Sequence, residues 1–289
     1  MAKSFPKRKF IFIFNLFSKY LLLHRNYFFI NFVDIIKRCN MEDKNYFLNR
    51  KTIRKYTKDN ISDEIIKEML LEASHAPTTG NMQLYSVVTT RTQEGKEKLA
   101  PAHFNQPSVV GCDVVLTFCA DFNRFVKWCE VSDATPGYDN FQSFMTAVID
   151  TTLVAQQFCT IAEMRGYGCC YLGTTTYNAP QIAEALNLPN RVVPITTITL
   201  GVPDGEAALS DRLPIDAILH KESYCDYDEE AIKLIYAEKE AREDSRKFVL
   251  ENNKQTLAQV FTDVRYTKEA NEIFSKIYLE FIRSRSFEI

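Results

Sequence analysis

The sequence lacks most of the signatures that assign chemistry to side chains. Its eight cysteines (Cys39, Cys112, Cys119, Cys129, Cys159, Cys169, Cys170 and Cys225) form no CxxC pair, and no Cys-His pair has zinc-ligand spacing. That argues against a structural zinc or a thioredoxin-like redox pair. Several cysteines sit in apolar runs, such as VVLTFCA around Cys119 and AQQFCTIA around Cys159, where Cys acts as a small hydrophobe. Reduced thiols in a cytoplasmic protein are therefore expected, ahead of disulfides. No P-loop, no Ser-His-Asp set and no carboxylate pair at telling spacing is present, so no side-chain nucleophile or acid/base pair is indicated. Excess charge of one sign is also missing. The balance is 35 Lys and Arg against 37 Asp and Glu, which gives no argument for nucleic acid as a partner. Repeats, low-complexity tracts and long Gly/Ser linkers are absent. The 289 residues suffice for one large domain or two ordinary ones, with apolar content enough for a sizeable core.

The near-zero net charge hides an asymmetry. Residues 1–40 carry eight Lys and Arg against one Asp, so the rest of the chain is acidic. This basic, aromatic N-terminus begins like a secretory signal but has no small-residue cleavage site. Lys19, His24 and Arg25 interrupt any apolar stretch long enough to span a bilayer. Three readings stay open, in this order: translated upstream sequence without a role, a membrane-surface amphipathic anchor, and an export signal. Membrane contact is expected only if this segment is part of the working protein. A globular domain is expected from Met41 to Ile289.

Periodicity divides that domain. Ser62 caps a helix over 62–74, with Asp63 and Glu64 in its first turn and Ile65, Ile66, Met69, Leu70 and Ala73 on one face. Residues 84–90 and 192–201 are β-branched and read as strands, and 113–120 as a strand buried on both faces. The stretch 143–165 is a long helix, apolar nearly all round, and so buried in a core or between subunits. A short strand over 169–172 and a helix over 179–187 follow. From about 226 the chain is charged and helical in pattern. The outcome is an α+β domain, a mostly antiparallel sheet flanked by helices, with a C-terminal helical extension.

Two clusters carry chemistry. Residues 49–56 read NRKTIRKY, and Arg50, Lys51, Thr52 and Arg54 together can hold a phosphate by charge-assisted, forked hydrogen bonds. Residues 75–83 read HAPTTGNMQ, a turn-rich loop whose backbone and amide groups suit the polar edge of a flat heterocycle. A phosphate at one end and an aromatic ring at the other describe a nucleotide-like cofactor. Each cluster has a plainer explanation, a solvated basic run and an ordinary helix-to-strand turn. His75 is read as packing or capping. GYGCCYLG at 166–173 superficially matches a dinucleotide fingerprint, but it follows a helix, leads into a strand and lacks the third glycine. Gly166 and Gly168 are read instead as a helix stop and a tight turn.

The two clusters resemble the flavin-binding opening of the nitroreductase family, FMN-dependent enzymes that reduce nitro groups, quinones or flavins with NADPH or NADH. The resemblance continues through FCADFNRF (118–125), IDTTLVAQQFCTIAEMRGYGCCYLG (149–173), LNLPNRVVPITTITLGVP (186–203) and DRLP (211–214). It covers most of residues 45–289 in the family's order and is nearest to the larger, NADPH-preferring bacterial members. It implies a nitroreductase-like three-layer fold and a homodimer with FMN at the subunit interface. It makes Arg50, Thr52 and Arg54 the phosphate and ribityl contacts, with Lys51 the one of the four most open to being simply solvated. Thr79, Asn81 and Gln83 fall in the loop that contacts the flavin, Gln83 near its pyrimidine edge. Tyr171, Leu172 and Gly173 fall beside the ring, and Arg212 reaches the FMN. The sequence departs from the family pattern at Thr174, where relatives have glycine, and at Ser210, where they often have lysine. Ala120–Arg124 serves as a family marker, and Phe125, Trp128, Tyr138 and Phe141 are read as packing near the active-site mouth. The implied activity is a two-stage hydride exchange from NADPH or NADH to a small-molecule electron acceptor such as a nitroaromatic, a quinone or free flavin. The rival readings are a flavin-binding sensor or storage protein and a membrane-surface protein governed by residues 1–40.

Overall fold

The computed structural model describes residues 46–289, so the readings of residues 1–40 lie outside the described residues. The chain divides into two units, residues 1–50 and 51–289. In the first, 46–49 are helical and Arg50 is half-buried. The remaining architecture belongs to the second unit.

Helix α1 (Asp63–Ala73) starts where its sequence signals place it. Ser62 is extended and its hydroxyl accepts from Ile65 N at 3.3 Å, satisfying one of the donors a helix start leaves open. Strand β1 is Tyr85–Thr90, and β2 (Val114–Asp121) is buried at every position. Helix α2 (Asn123–Val131) follows, then the 24-residue α3 (Phe141–Met164), capped by Asn140. Strand β3 (Gly168–Leu172), helix α4 (Ala179–Ala185) and strand β4 (Val192–Gly201) complete the central layer. Two short helices, Gln93–Leu99 and Pro107–Gly111, and α2 have no counterpart in the sequence expectations. The C-terminal part is helical as expected, with α5 (Glu229–Ala241), α6 (Glu243–Glu251) and α7 (Lys268–Ser284).

The strand order is β1-β2-β4-β3, and every pairing is antiparallel. The expectation of a mostly antiparallel sheet therefore becomes wholly antiparallel among the described residues. Val114, Leu116 and Phe118 of β2 face Met69 of α1 and Val154, Phe158 and Ala162 of α3. Val115 joins a second cluster with Leu99, Val109, Leu172 and Ile182. Side chains alternate across a strand, so these two clusters make helix, sheet and helix three layers. The end of the chain returns to the body, where Phe281, Ile282 and Phe287 pack with Phe122 and Phe144.

An extended segment ahead of α1 lies against the sheet. Ile53 N donates to Cys169 O at 3.0 Å, Thr57 N donates to Val202 O at 2.9 Å, and Tyr56 bridges to Pro203. The Tyr56 hydroxyl donates to Ile53 O at 2.7 Å and also meets the Thr199 hydroxyl. Burial pushes this phenol up, so it acts as a neutral group. The close approach is possible because the facing sheet residues are glycines. A Cβ at Gly168 would stand 2.6 Å from Ile53 Cγ2, and one at Gly201 would stand 2.7 Å from Tyr56 Cδ1. Gly168 is thus a strand residue under Ile53 and not part of a turn. The turn belongs to Gly166, at φ +86°.

Gly168→Ala should therefore lower stability in urea unfolding by about 1–3 kcal/mol, the usual cost of overpacking. Ile53→Ala in the same chain should recover part of that loss. Equal stability of Gly168→Ala and the unaltered chain would refute the packing argument.

Candidate functional site

The docked segment turns its two sides to different surroundings. Ile53 and Tyr56 face the sheet, while Arg54 and Lys55 are exposed and Lys51 and Thr52 half-buried. Thr52, Arg54 and Lys55 line a cavity of about 410 Å³ together with the 204–211 loop and Arg242. Basic and hydroxyl groups of this segment offer donors that a phosphate can use, and the carboxylates Asp204, Glu206, Asp211 and Asp244 line the same cavity. Arg50 belongs to the other unit of the chain.

Ser210 and Asp211 also line this cavity. Lys239 of α5 pairs with Asp211 at 2.7 Å and holds its carboxyl below the usual carboxylate range. A lysine absent at position 210 is therefore matched by one arriving from α5 at the neighbouring residue. Arg212 is exposed, and its guanidinium donates to Ser210 O at 3.2 Å and to Asp211 O at 2.7 Å.

Tyr171 and Leu172 end β3, and Gly173 opens the turn beyond it. Leu172 as a whole residue is 2 % exposed and belongs to the core. Gly173 contrasts with Gly168 and Gly201, because a Cβ there would meet nothing within 4 Å. Thr174, a position where the family resemblance leads one to expect glycine, is engaged by the protein itself. Its hydroxyl lies 2.9 Å from Nδ1 of the fully buried His103, whose Nε2 has no hydrogen-bond partner among the described residues.

Thr79, Asn81 and Gln83 are exposed on the loop that leads into β1. They do not line the cavity of Thr52 and Arg54. Strand order explains this, because β1 and β3 are opposite edges of the sheet, about 14 Å apart at the usual spacing of neighbouring strands. His75 is exposed. Phe125 and Tyr138 pack in an aromatic cluster with Phe122, and Trp128 stacks edge-on against Phe125 while staying exposed. Two side chains at the loop escaped the sequence reading. Asp150 of α3 and Arg124 of α2 both hydrogen-bond its backbone. An acid in the middle of a helix apolar nearly all round was the available signal for Asp150.

Burial pushes His103 down to about 4. Unfolded, the ring takes a proton below about pH 6.5; folded, it stays neutral until about pH 4. The unfolded state therefore binds the extra proton in that window, and stability falls as pH drops through it. His103→Gln should flatten this acid limb by on the order of 2 kcal/mol when urea unfolding at pH 7 is compared with unfolding near pH 4. An unchanged pH slope would contradict a buried neutral imidazole.

Comparison with known proteins places these features. A sequence model of the nitroreductase family matches residues 48–202. A Cr(VI) reductase of Pseudomonas sp. (strain G-1) is 34% identical over 181 residues, covering 63% of this chain and 74% of that protein. An NADPH-type FMN reductase of Bacillus subtilis (strain 168) is 30% identical over 179 residues, covering 61% and 72%. Among solved structures, a Bacteroides fragilis NCTC 9343 chain provisionally assigned as an oxidoreductase superposes with a TM-score of 0.82 at 54% identity. The match covers 83% of this chain and 98% of that one. NfrA1 of B. megaterium gives 0.72 at 30% identity, covering 84% and 98%.

Proposed function

Because this chain belongs to the nitroreductase family, we propose that it binds FMN and passes hydride from NADPH or NADH to a small flat acceptor in two stages at one open site. Nitroaromatics, quinones and free flavin fit that description. The observation that carries the reading is the docked segment, which presents Thr52 and Arg54 to a cavity from a backbone fixed on the sheet. Gly173 supplies an independent fit, since open space and no protein atom faces its missing Cβ. A flat ring can then approach the backbone there.

FMN, when bound, supplies the reversible acceptance of hydride, so no side-chain nucleophile is required. The polypeptide binds and orients. Arg54 and Lys51 neutralise phosphate charge, and the Thr52 hydroxyl adds a donor. Arg212 adds a further cation beside Asp211, and Arg50 remains assigned to the phosphate by family resemblance. Thr79, Asn81 and Gln83 present amide and hydroxyl groups that suit a pyrimidine edge. N–H donors at that edge favour the negative charge that accumulates there on reduction.

We further read the working unit as a homodimer with the site at the subunit interface. One chain places its cationic segment and its 79–83 loop at opposite sheet edges, so a second copy can supply the loop that the first cannot bring near. In support, α3 leaves Ile149 53 % and Leu153 41 % exposed, and α5 and α6 bury no residue. Among the described residues no helix is long and apolar enough to cross a membrane. A cytoplasmic location is in keeping with the family reading and with a chain rich in buried thiols.

Anaerobic rapid mixing of the FMN-loaded chain with NADPH, and separately with NADH, tests the activity. Bleaching of the flavin absorbance at about 1 s⁻¹ or faster is expected. A flavin that stays oxidised with both nucleotides would leave a binding or storage protein instead. Arg54→Ala should retain the fold and weaken FMN binding by about tenfold or more, the loss of one charge-assisted hydrogen bond. Undiminished affinity would remove Arg54 from the site. Gly173→Ala should be neutral to stability and still weaken FMN binding, which separates ligand approach from packing.

A further inference from the structure

The loop before β1 adopts a conformation that its residues do not favour. Gly80, Asn81 and Gln83 have φ of 56°, 55° and 54°, the left-handed region that suits glycine, tolerates asparagine and disfavours glutamine. Internal bonds are few. Met82 N donates to Thr79 O at 3.0 Å, and the Gln83 side-chain amide donates to Asn81 Oδ1 at 3.3 Å. A loop this polar and exposed has other conformations open to it. Backbone strain of this kind persists only when the surroundings impose it, and it gathers where ligands bind.

Two charged side chains impose it here. Asp150 sits in the middle of α3 and is 1 % exposed. Its Oδ1 accepts from Thr79 N at 2.9 Å and its Oδ2 accepts from Leu84 N at 3.3 Å. One carboxylate thus ties the residue just before the strained stretch to the residue just past it. From the other side, Arg124 donates to Gln83 O, to Tyr85 O at 3.2 Å and to the Ser86 hydroxyl at 3.4 Å. Its own backbone N donates to Asp121 Oδ1 at 3.2 Å, which steadies the start of α2. The Gln83 carbonyl thus meets the cation, and the Thr79 and Leu84 amides meet the anion. Aspartate is a poor residue for the interior of a buried helix, and burying a carboxylate is unfavourable unless donors meet it. The two backbone N–H groups of Thr79 and Leu84 give it a reason to be there.

We propose that Asp150, assisted by Arg124, is a positioning residue for the flavin site, holding residues 79–84 in the strained form that presents Thr79, Asn81 and Gln83. The proposal rests on the FMN reading above. It also explains why an acid and not its amide stands at 150. Both loop groups that face it are donors, so a carboxylate accepts from both, whereas an asparagine accepts from one and turns its own N–H₂ toward the other.

The test compares the full unaltered chain with Asp150→Asn, Arg124→Gln and Ser62→Ala. Ser62→Ala is a control that weakens an N-cap remote from the loop. Two quantities are read, hydrogen exchange of the peptide covering 79–84 without FMN, and the FMN dissociation constant. Asp150→Asn is expected to exchange at least tenfold faster in that peptide and to bind FMN about tenfold more weakly. Arg124→Gln should show both effects to a smaller extent, and Ser62→Ala neither. If Asp150→Asn does not fold, the exposed Arg124 carries the test alone, since its loss opens no core. Unchanged exchange and unchanged FMN affinity in the variants that fold would overturn the proposal. A chain that binds no FMN would sink the functional reading instead, while the exchange measurement still decides whether the clamp holds the loop.

Discussion

Ile53 and Tyr56 lying on two glycines is the contact on which the rest of this molecule depends. A segment can approach a sheet this closely where the strand beneath offers no Cβ, and Gly168 and Gly201 offer none under these two residues. The backbone bonds at Cys169 and Val202 then fix the segment along its length. Once that side is buried, the remaining side chains of 51–55 have one direction left. Thr52, Arg54 and Lys55 line the cavity, Ile53 borders both it and the sheet, and Tyr56 is buried on the sheet side. A basic stretch that would otherwise be a solvated tail becomes one wall of a site.

The second constraint is topological. The order β1-β2-β4-β3 separates the edge that carries the cationic wall from the edge that carries the 79–83 loop. A cofactor with a phosphate at one end and a ring at the other needs both kinds of group. The proposed association of two copies would satisfy that need without altering either edge. It would also cover apolar side chains that α3 and α5 leave open, among them Ile149, Leu153 and Leu234. Rigidity is distributed to match. The wall is held by packing on the sheet, and the loop by charges reaching in from α2 and α3.

Much of this was legible in the chain because local rules and global packing agreed there. The start of α1 followed from Ser62 and two acids, β2 from an unbroken apolar run, and α3 from its length and lack of breakers. The basic cluster at 50–54 stood out against an acidic body, and its alternation of apolar Ile53 and Tyr56 with charged neighbours now has its cause. What stayed hidden depended on contacts distant in sequence. Gly168 looked like a turn glycine because nothing local says that Ile53, more than a hundred residues earlier, lies on it. Asp150 went unread because its partners, Thr79 N and Leu84 N, are backbone groups of a kind that nearly every residue carries. The helices at Gln93–Leu99 and Pro107–Gly111 are too short for an apolar period to register. Thr174 read as a lost glycine, while its engagement by His103 becomes visible only once both are placed.

Calorimetric titration of riboflavin 5′-phosphate into the cofactor-stripped full chain addresses the central claim most directly. Saturable binding approaching one FMN per chain, with the protein turning yellow, is the predicted result. A preparation that stays colourless and gives no heat of binding at any ligand concentration would contradict the account at its root.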